Sequence, residues 1–155
     1  MVYPEYEAWV QFTTSIEYAV HTLIYIADRG SGAVLVGDIA RAIKAPESYL
    51  RKVLQQLARA GLLSSHRGVK GGFSLGRDAR EISLRDVVEA VDGSLPTWCC
   101  VKEKQRCSEA PCPVSAAFED ARQKMAESLG QTTIGNLARR VAKRADGWLA
   151  VTRCS

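Results

Sequence analysis

No apolar run in this chain reaches membrane length. The longest uncharged stretch of its first helix-like region lies between Glu17 and Asp28 and is interrupted by His21, too short for a helix that must cross ~30 Å of hydrocarbon. The basic, apolar and small-residue succession of a secretion signal is also missing. Met1 leads instead into an acidic aromatic stretch, Val2-Tyr3-Pro4-Glu5-Tyr6-Glu7, so the expectation is a cytoplasmic protein with no membrane partner. Nor is there a Cys-x-x-Cys pair, a nucleophile placed beside a base, or a phosphate-binding loop. Their absence argues against a thiol oxidoreductase and against an enzyme generally. At 155 residues the chain can hold one ordinary domain and a helical extension, not two separate cores.

What is present is unevenly spread. Residues 41–80 contain nine Lys/Arg against Glu47 and Asp78, a local charge of +7 that leaves −3 for the remainder of a chain whose net charge is +4. An excess concentrated in this way suits a phosphate-facing surface. The alternative is a solvated basic face with no partner.

Apolar periodicity places the elements. Ile16, Ala19, Val20, Leu23, Ile24 and Ala27 form a helical stripe that starts near Thr14, where Thr14 and Glu17 have capping-box spacing, and stops at Gly30. A short helix is predicted from Val36 to Ile43, and another from about Pro46 to Ala60. The latter puts Tyr49, Leu50, Val53, Leu54 and Leu57 on one side and Arg51, Lys52, Gln55, Gln56 and Arg59 largely on the other. Two such helices across a tight turn read as a helix-turn-helix. Leu62–Ser65 and Gly72–Leu75 read as strands of a wing whose glycine-flanked tip bears Arg67 and Lys70, with His66 as a further wing contact. A helix over Ser83–Val91 follows. The fold class is thus mainly α with a small β wing: a winged helix-turn-helix at 12–92, a cysteine-rich loop at 93–113, and a helical dimerisation region at 114–146.

In that last region Val114, Ala117, Phe118, Ala121, Met125 and Leu129 give a long helix an apolar face, Gly130 is predicted to end it, and Thr132 or Thr133 to start another. A long helix beside a small domain is expected to pair with a second copy. The DNA-contact candidates are Ser48, Tyr49, Arg51, Lys52 and Gln55 in the groove, with Arg51 suited to guanine and Gln55 to adenine, and Arg67 and Lys70 on phosphates or the minor groove.

Five cysteines in a reducing compartment point away from disulfides. Cys99, Cys100, Cys107 and Cys112 share one loop, while Cys154 stands in the tail. Only the vicinal pair Cys99-Cys100 is close in sequence, unlike zinc knuckles, whereas iron-sulfur clusters accept wider spacing. Spacing alone leaves a cluster or metal, thiol redox chemistry and unligated thiols all open.

Taken together, Tyr18-Ala19-Val20, Ser48-Tyr49-Leu50-Arg51-Lys52, Ala60-Gly61-Leu62, Arg67 through Phe73, Ile82 through Val88 and the cysteine loop resemble the IscR/NsrR/RsrR-type family of bacterial iron-sulfur winged-helix regulators, over roughly residues 12–141. The resemblance implies a homodimeric repressor on a palindromic operator whose DNA affinity follows cluster state. It also implies that a residue of the first helix, at Glu17 or one turn later at His21, serves a cluster held by the other subunit's loop. The Glu17 and His21 spacing is most similar to the RsrR type, which implies a 2Fe-2S cluster on Glu17, His21, Cys100 and Cys112, with Cys107 left over and Cys99 beside the site. The NsrR type implies a 4Fe-4S cluster on Cys100, Cys107 and Cys112 with Glu17 or His21 as fourth ligand. A purely structural reading makes Glu17 a capping residue and His21 its hydrogen-bond partner.

Overall fold

The computed structural model describes residues 12–30, 32–68, 71–95 and 112–143. Six helices and one hairpin follow in the order α1 (Thr14–Arg29), α2 (Val36–Ile43), α3 (Glu47–Arg59), β1 (Leu63–His66), β2 (Gly72–Leu75), α4 (Leu84–Asp92), α5 (Pro113–Gln131) and α6 (Ile134–Ala142). This is the mainly helical winged-helix architecture read from the residue pattern. Among the described residues no helix is long and apolar enough to cross a membrane.

The core is organised around α1. Ala19, Leu23 and Ile26 are fully or almost fully buried, and they meet Ile39 of α2, Leu50, Leu54 and Leu57 of α3, Val87 of α4 and Ile134 of α6 in one cluster. Each Leu, Ile or Val side chain so removed from water contributes about 1.5–3 kcal/mol. Burial on α1 extends beyond the predicted stripe to Thr22 and Tyr25, because helices pack on several of its sides.

Helix ends follow local chemistry, with corrections to the expected details. The cap of α1 is Thr13, whose side chain accepts from the Ile16 amide, not Thr14; Thr14 is already helical. Pro46 is the N-cap of α3 rather than its first helical residue. Ser83 and Asp86 form a reciprocal capping box on α4. Gly130 does not end α5, which continues to Gln131, since one glycine costs only about 1 kcal/mol inside a helix; the break comes at Thr132, and Thr133 caps α6.

β1 and β2 pair antiparallel in the register Leu63 with Leu75 and His66 with Gly72. A third segment joins them: Val34 bridges Phe73 through two backbone hydrogen bonds of 2.8 and 2.9 Å. The wing is therefore rooted to the turn before α2. A comparable bridge, Ser83 with Thr133, and the Ile134 amide on the Ile82 carbonyl return α6 to the core. α5 packs differently: Ala126 is its only buried side chain among the described residues, while Val114 and Phe118 remain 54% and 46% exposed.

Candidate functional site

The basic surface is built on α3. Its inward residues Leu50, Val53, Leu54 and Leu57 fix the helix, which leaves Ser48, Arg51, Lys52 and Gln55 exposed along one face. Arg51 pairs through Nη2 with Glu47 one turn earlier, and Arg41 of α2 pairs with Asp38. Lys52, Arg59 and Arg67 have no carboxylate partner among the described residues, so their charge is available to an external anion. Tyr49 is placed differently from its neighbours. Its hydroxyl hydrogen-bonds Ser15 of α1, and its ring stands edge-on to Tyr18 with centroids 5.8 Å apart at 72°. The recognition-helix residue expected to face the groove thus also fastens α3 to α1.

The wing flanks this surface. Arg67 is exposed at the hairpin end, and Lys70 lies outside the described residues. The tip tolerates only glycine at position 71, where a Cβ would stand 2.6 Å from the His66 carbonyl oxygen. His66 forms a cross-strand hydrogen bond with Ser74 Oγ at 2.8 Å. Between α2, α3 and the wing runs a cleft of about 500 Å³, lined by Asp38, Arg41, Arg51, His66 and Phe73 among others. Arg41 is the cleft residue that pattern reading passed over; its i, i+3 spacing with Asp38 on the polar side of α2 was the available signal.

A second cleft, of about 370 Å³, opens beside α1. Its walls are Phe12, Ile16 and Val20, Leu84 and Val88 of α4, Leu129 of α5 and Leu137 of α6. Glu17 and His21 are its titratable lining residues, one helical turn apart. Burial holds the His21 imidazole below its ordinary pKa, opposed by the nearby Glu17 charge. Because Thr13 caps α1, Glu17 lies one place beyond the capping-box position and its carboxylate is not consumed there. Cys112 is half-buried at the N-cap position of α5 and does not line this cleft. Cys99, Cys100, Cys107 and Cys154 lie outside the described residues. Among the described residues no three His, Cys, Asp or Glu side chains converge. The cleft itself brings together one carboxylate and one imidazole, both competent ligands, in an apolar setting.

Known proteins share this fold. Residues 12–140 match the Rrf2 family, described as iron-dependent transcriptional regulators. The transcriptional regulator IscR of Klebsiella pneumoniae (strain 342) is 32% identical over 130 residues, 83% of this chain and 79% of that one. The solved structure of T. potens IscR aligns with a TM-score of 0.72 at 25% identity, covering 92% of this chain and 97% of its own. That of CymR, the global cysteine regulator of B. subtilis, aligns with a TM-score of 0.70 at 26% identity, covering 84% and 98%. With the match spanning the winged helix, α5 and most of α6, and with regulators rather than enzymes as its relatives, the chain belongs to the Rrf2 family of DNA-binding transcriptional regulators.

Proposed function

We propose that the chain is a homodimeric, cytoplasmic repressor of a palindromic operator that senses redox state through an iron-sulfur cluster. The carrying observation is the pair Glu17 and His21, one turn apart on the wall of an apolar cleft. An imidazole must be neutral to ligate, and burial favours that form in His21. In the favoured reading Glu17 and His21 of one subunit and Cys100 and Cys112 of the other hold a 2Fe-2S cluster. Such a group, when bound, supplies a one-electron couple whose potential is raised by histidine ligation. α5, with Val114 and Phe118 exposed, is the face for the second copy, at the start of which Cys112 stands.

The DNA half follows from the same geometry. Arg51 reads guanine and Gln55 adenine in the major groove, with Ser48 and Lys52 beside them and Arg67 and Lys70 on the backbone. A twofold dimer requires two half-sites at a spacing set by the separation of its two α3 helices. Ser15 and Tyr18 connect α1 to Tyr49 at the start of α3, so a displacement of the first turns of α1 moves the recognition helix.

A second reading, thiol chemistry in the cysteine loop, is supported by the likeness to CymR, a cysteine regulator; the remaining alternatives are zinc in that loop, or a 4Fe-4S cluster on Cys100, Cys107 and Cys112 with Glu17 or His21, which the NsrR-type resemblance implies. Anaerobic purification followed by iron, sulfide and zinc analysis separates them. About two irons and two sulfides per chain support the favoured reading, about four support the larger cluster, and none supports thiols or zinc. The His21→Ala variant is expected to lose or shift the visible absorption; an unchanged spectrum and iron content would remove His21 from the ligand set.

A further inference from the structure

A carboxylate is an unexpected group on a surface that meets phosphates. Glu47 and Asp78 are the only acids in residues 41–80, and Glu47 opens the recognition helix itself. Its Oε1 accepts from Arg51 Nη2, in the favourable order of acid before base at i, i+4. Its other oxygen is turned toward α2, where a Cβ on Gly37 would lie 3.6 Å away. Gly37 belongs to the first turn of α2, whose N-cap Leu35 offers no side-chain cap, so the carboxylate lies beside the positive end of that helix. Glu47 thus sits next to the first turn of α2, and Arg51 is tethered to Glu47.

Stability does not account for this pair. Its side chains are 59% and 46% exposed, and pairs so exposed contribute little to folding. Recognition does account for it. Reading guanine with both O6 and N7 demands that the guanidinium fork be presented in one orientation, and a long side chain free in solvent is not so restricted. Tethering one terminal nitrogen leaves the remaining donors available and limits the rotamers. The same negative charge repels phosphates wherever the compensating base contact is missing.

We infer that Glu47 is a positioning and specificity-determining residue: it orients Arg51 toward guanine and weakens binding to non-cognate duplex. This rests on the reading of Arg51 as a base contact. The test uses full-length protein and selection from a duplex library with a randomised site, together with titration of a random-sequence duplex, for the wild type, Arg51→Ala, Glu47→Gln and Glu47→Ala. Arg51→Ala should abolish a guanine preference at one position of each half-site. Both Glu47 variants should weaken that same preference about three- to tenfold, part of what one bidentate contact supplies, and tighten random-duplex binding about two- to fivefold. Wild-type discrimination in the Glu47 variants, beside a clear Arg51→Ala effect, would overturn the inference alone. Loss at a different base pair would also overturn it, since Glu47 would then itself be accepting from a cytosine amine. If Arg51→Ala alters no position, the base-contact reading fails and the inference with it. Both Glu47 variants should melt with the wild type, which keeps the readout on recognition.

Discussion

Replacing Gly72 with alanine tests how the wing is held against the segment that leads into α2. Gly72 has a φ of 143°, a region that side-chain-bearing residues avoid. An added Cβ would stand 2.8 Å from the Val34 carbonyl carbon and closer still to its oxygen. The Val34 segment must therefore retreat, and it is tied at that point by the Val34 amide to the Phe73 carbonyl at 2.8 Å and the Phe73 amide to the Val34 carbonyl at 2.9 Å. Losing two backbone hydrogen bonds costs about 1–3 kcal/mol, and the strained backbone adds about 1 kcal/mol or more. A total of about 2–4 kcal/mol corresponds, for a chain of this size, to a Tm lower by roughly 5–15 °C. Thermal denaturation followed by circular dichroism measures the shift, and amide exchange reports whether Phe73 has lost protection. Operator affinity should fall as well, because the wing root and the entry to α2 are one bridge. A Tm within about 2 °C of wild type, with Phe73 still protected, would refute the reasoning by showing that the strand junction absorbs a methyl group.

Tyr49→Phe removes the hydroxyl bond to Ser15 but keeps the ring beside Tyr18; stability should fall by about 1 kcal/mol or less, and the difference in operator affinity between oxidised and reduced protein should narrow, measured by fluorescence anisotropy. An unchanged ratio would leave Tyr49 outside the coupling. Lys70→Ala should weaken all duplexes alike and reduce the salt slope by about one, whereas a sequence-selective loss would contradict its phosphate role. Phe118→Glu on the exposed face of α5 should shift the protein toward monomer in sedimentation velocity, and a dimer of wild-type strength would place the interface elsewhere.

The elements that could be read from residues were those whose determinants are local. α2 occupies Val36–Ile43 as its spacing predicts, because Ile39, Ala40 and Ile43 set its inner face and the stretch up to Pro46 cannot continue it. α1 shows the limit of the same logic. A stripe describes a helix with one buried side, but α1 packs against α2, α3, α4, α6 and β2, and Thr22, Tyr25 and Ile26 are buried outside the stripe. The Val34–Phe73 bridge left no trace in periodicity, since a single pair across distant residues has none. Gly130 misled for the opposite reason: its local cost of about 1 kcal/mol was real but too small to end α5, which runs one residue further to Gln131.

The candidate site divides along the same line. That Glu17 and His21 share a face follows from helical geometry alone. That the face opens on an apolar cleft depends on Leu84, Val88, Leu129 and Leu137, which arrive from three other helices and could not be placed beforehand. Tyr49 was legible as a candidate groove contact on α3, but its attachment to Ser15 and Tyr18 was not. Placed together, these facts put the proposed ligand pair and the contacts to α3 on the same two turns of α1. Ser15 and Tyr18 form the flank that meets the recognition helix, and Glu17 and His21 form the flank that lines the cleft. A helix of this length with a fully buried Ala19 and Leu23 is too tightly packed to bend between adjacent residues. On the proposed reading, a shift imposed at Glu17 and His21 is expected to be shared by Ser15 and Tyr18 and, through their contacts, to reach Tyr49 of α3.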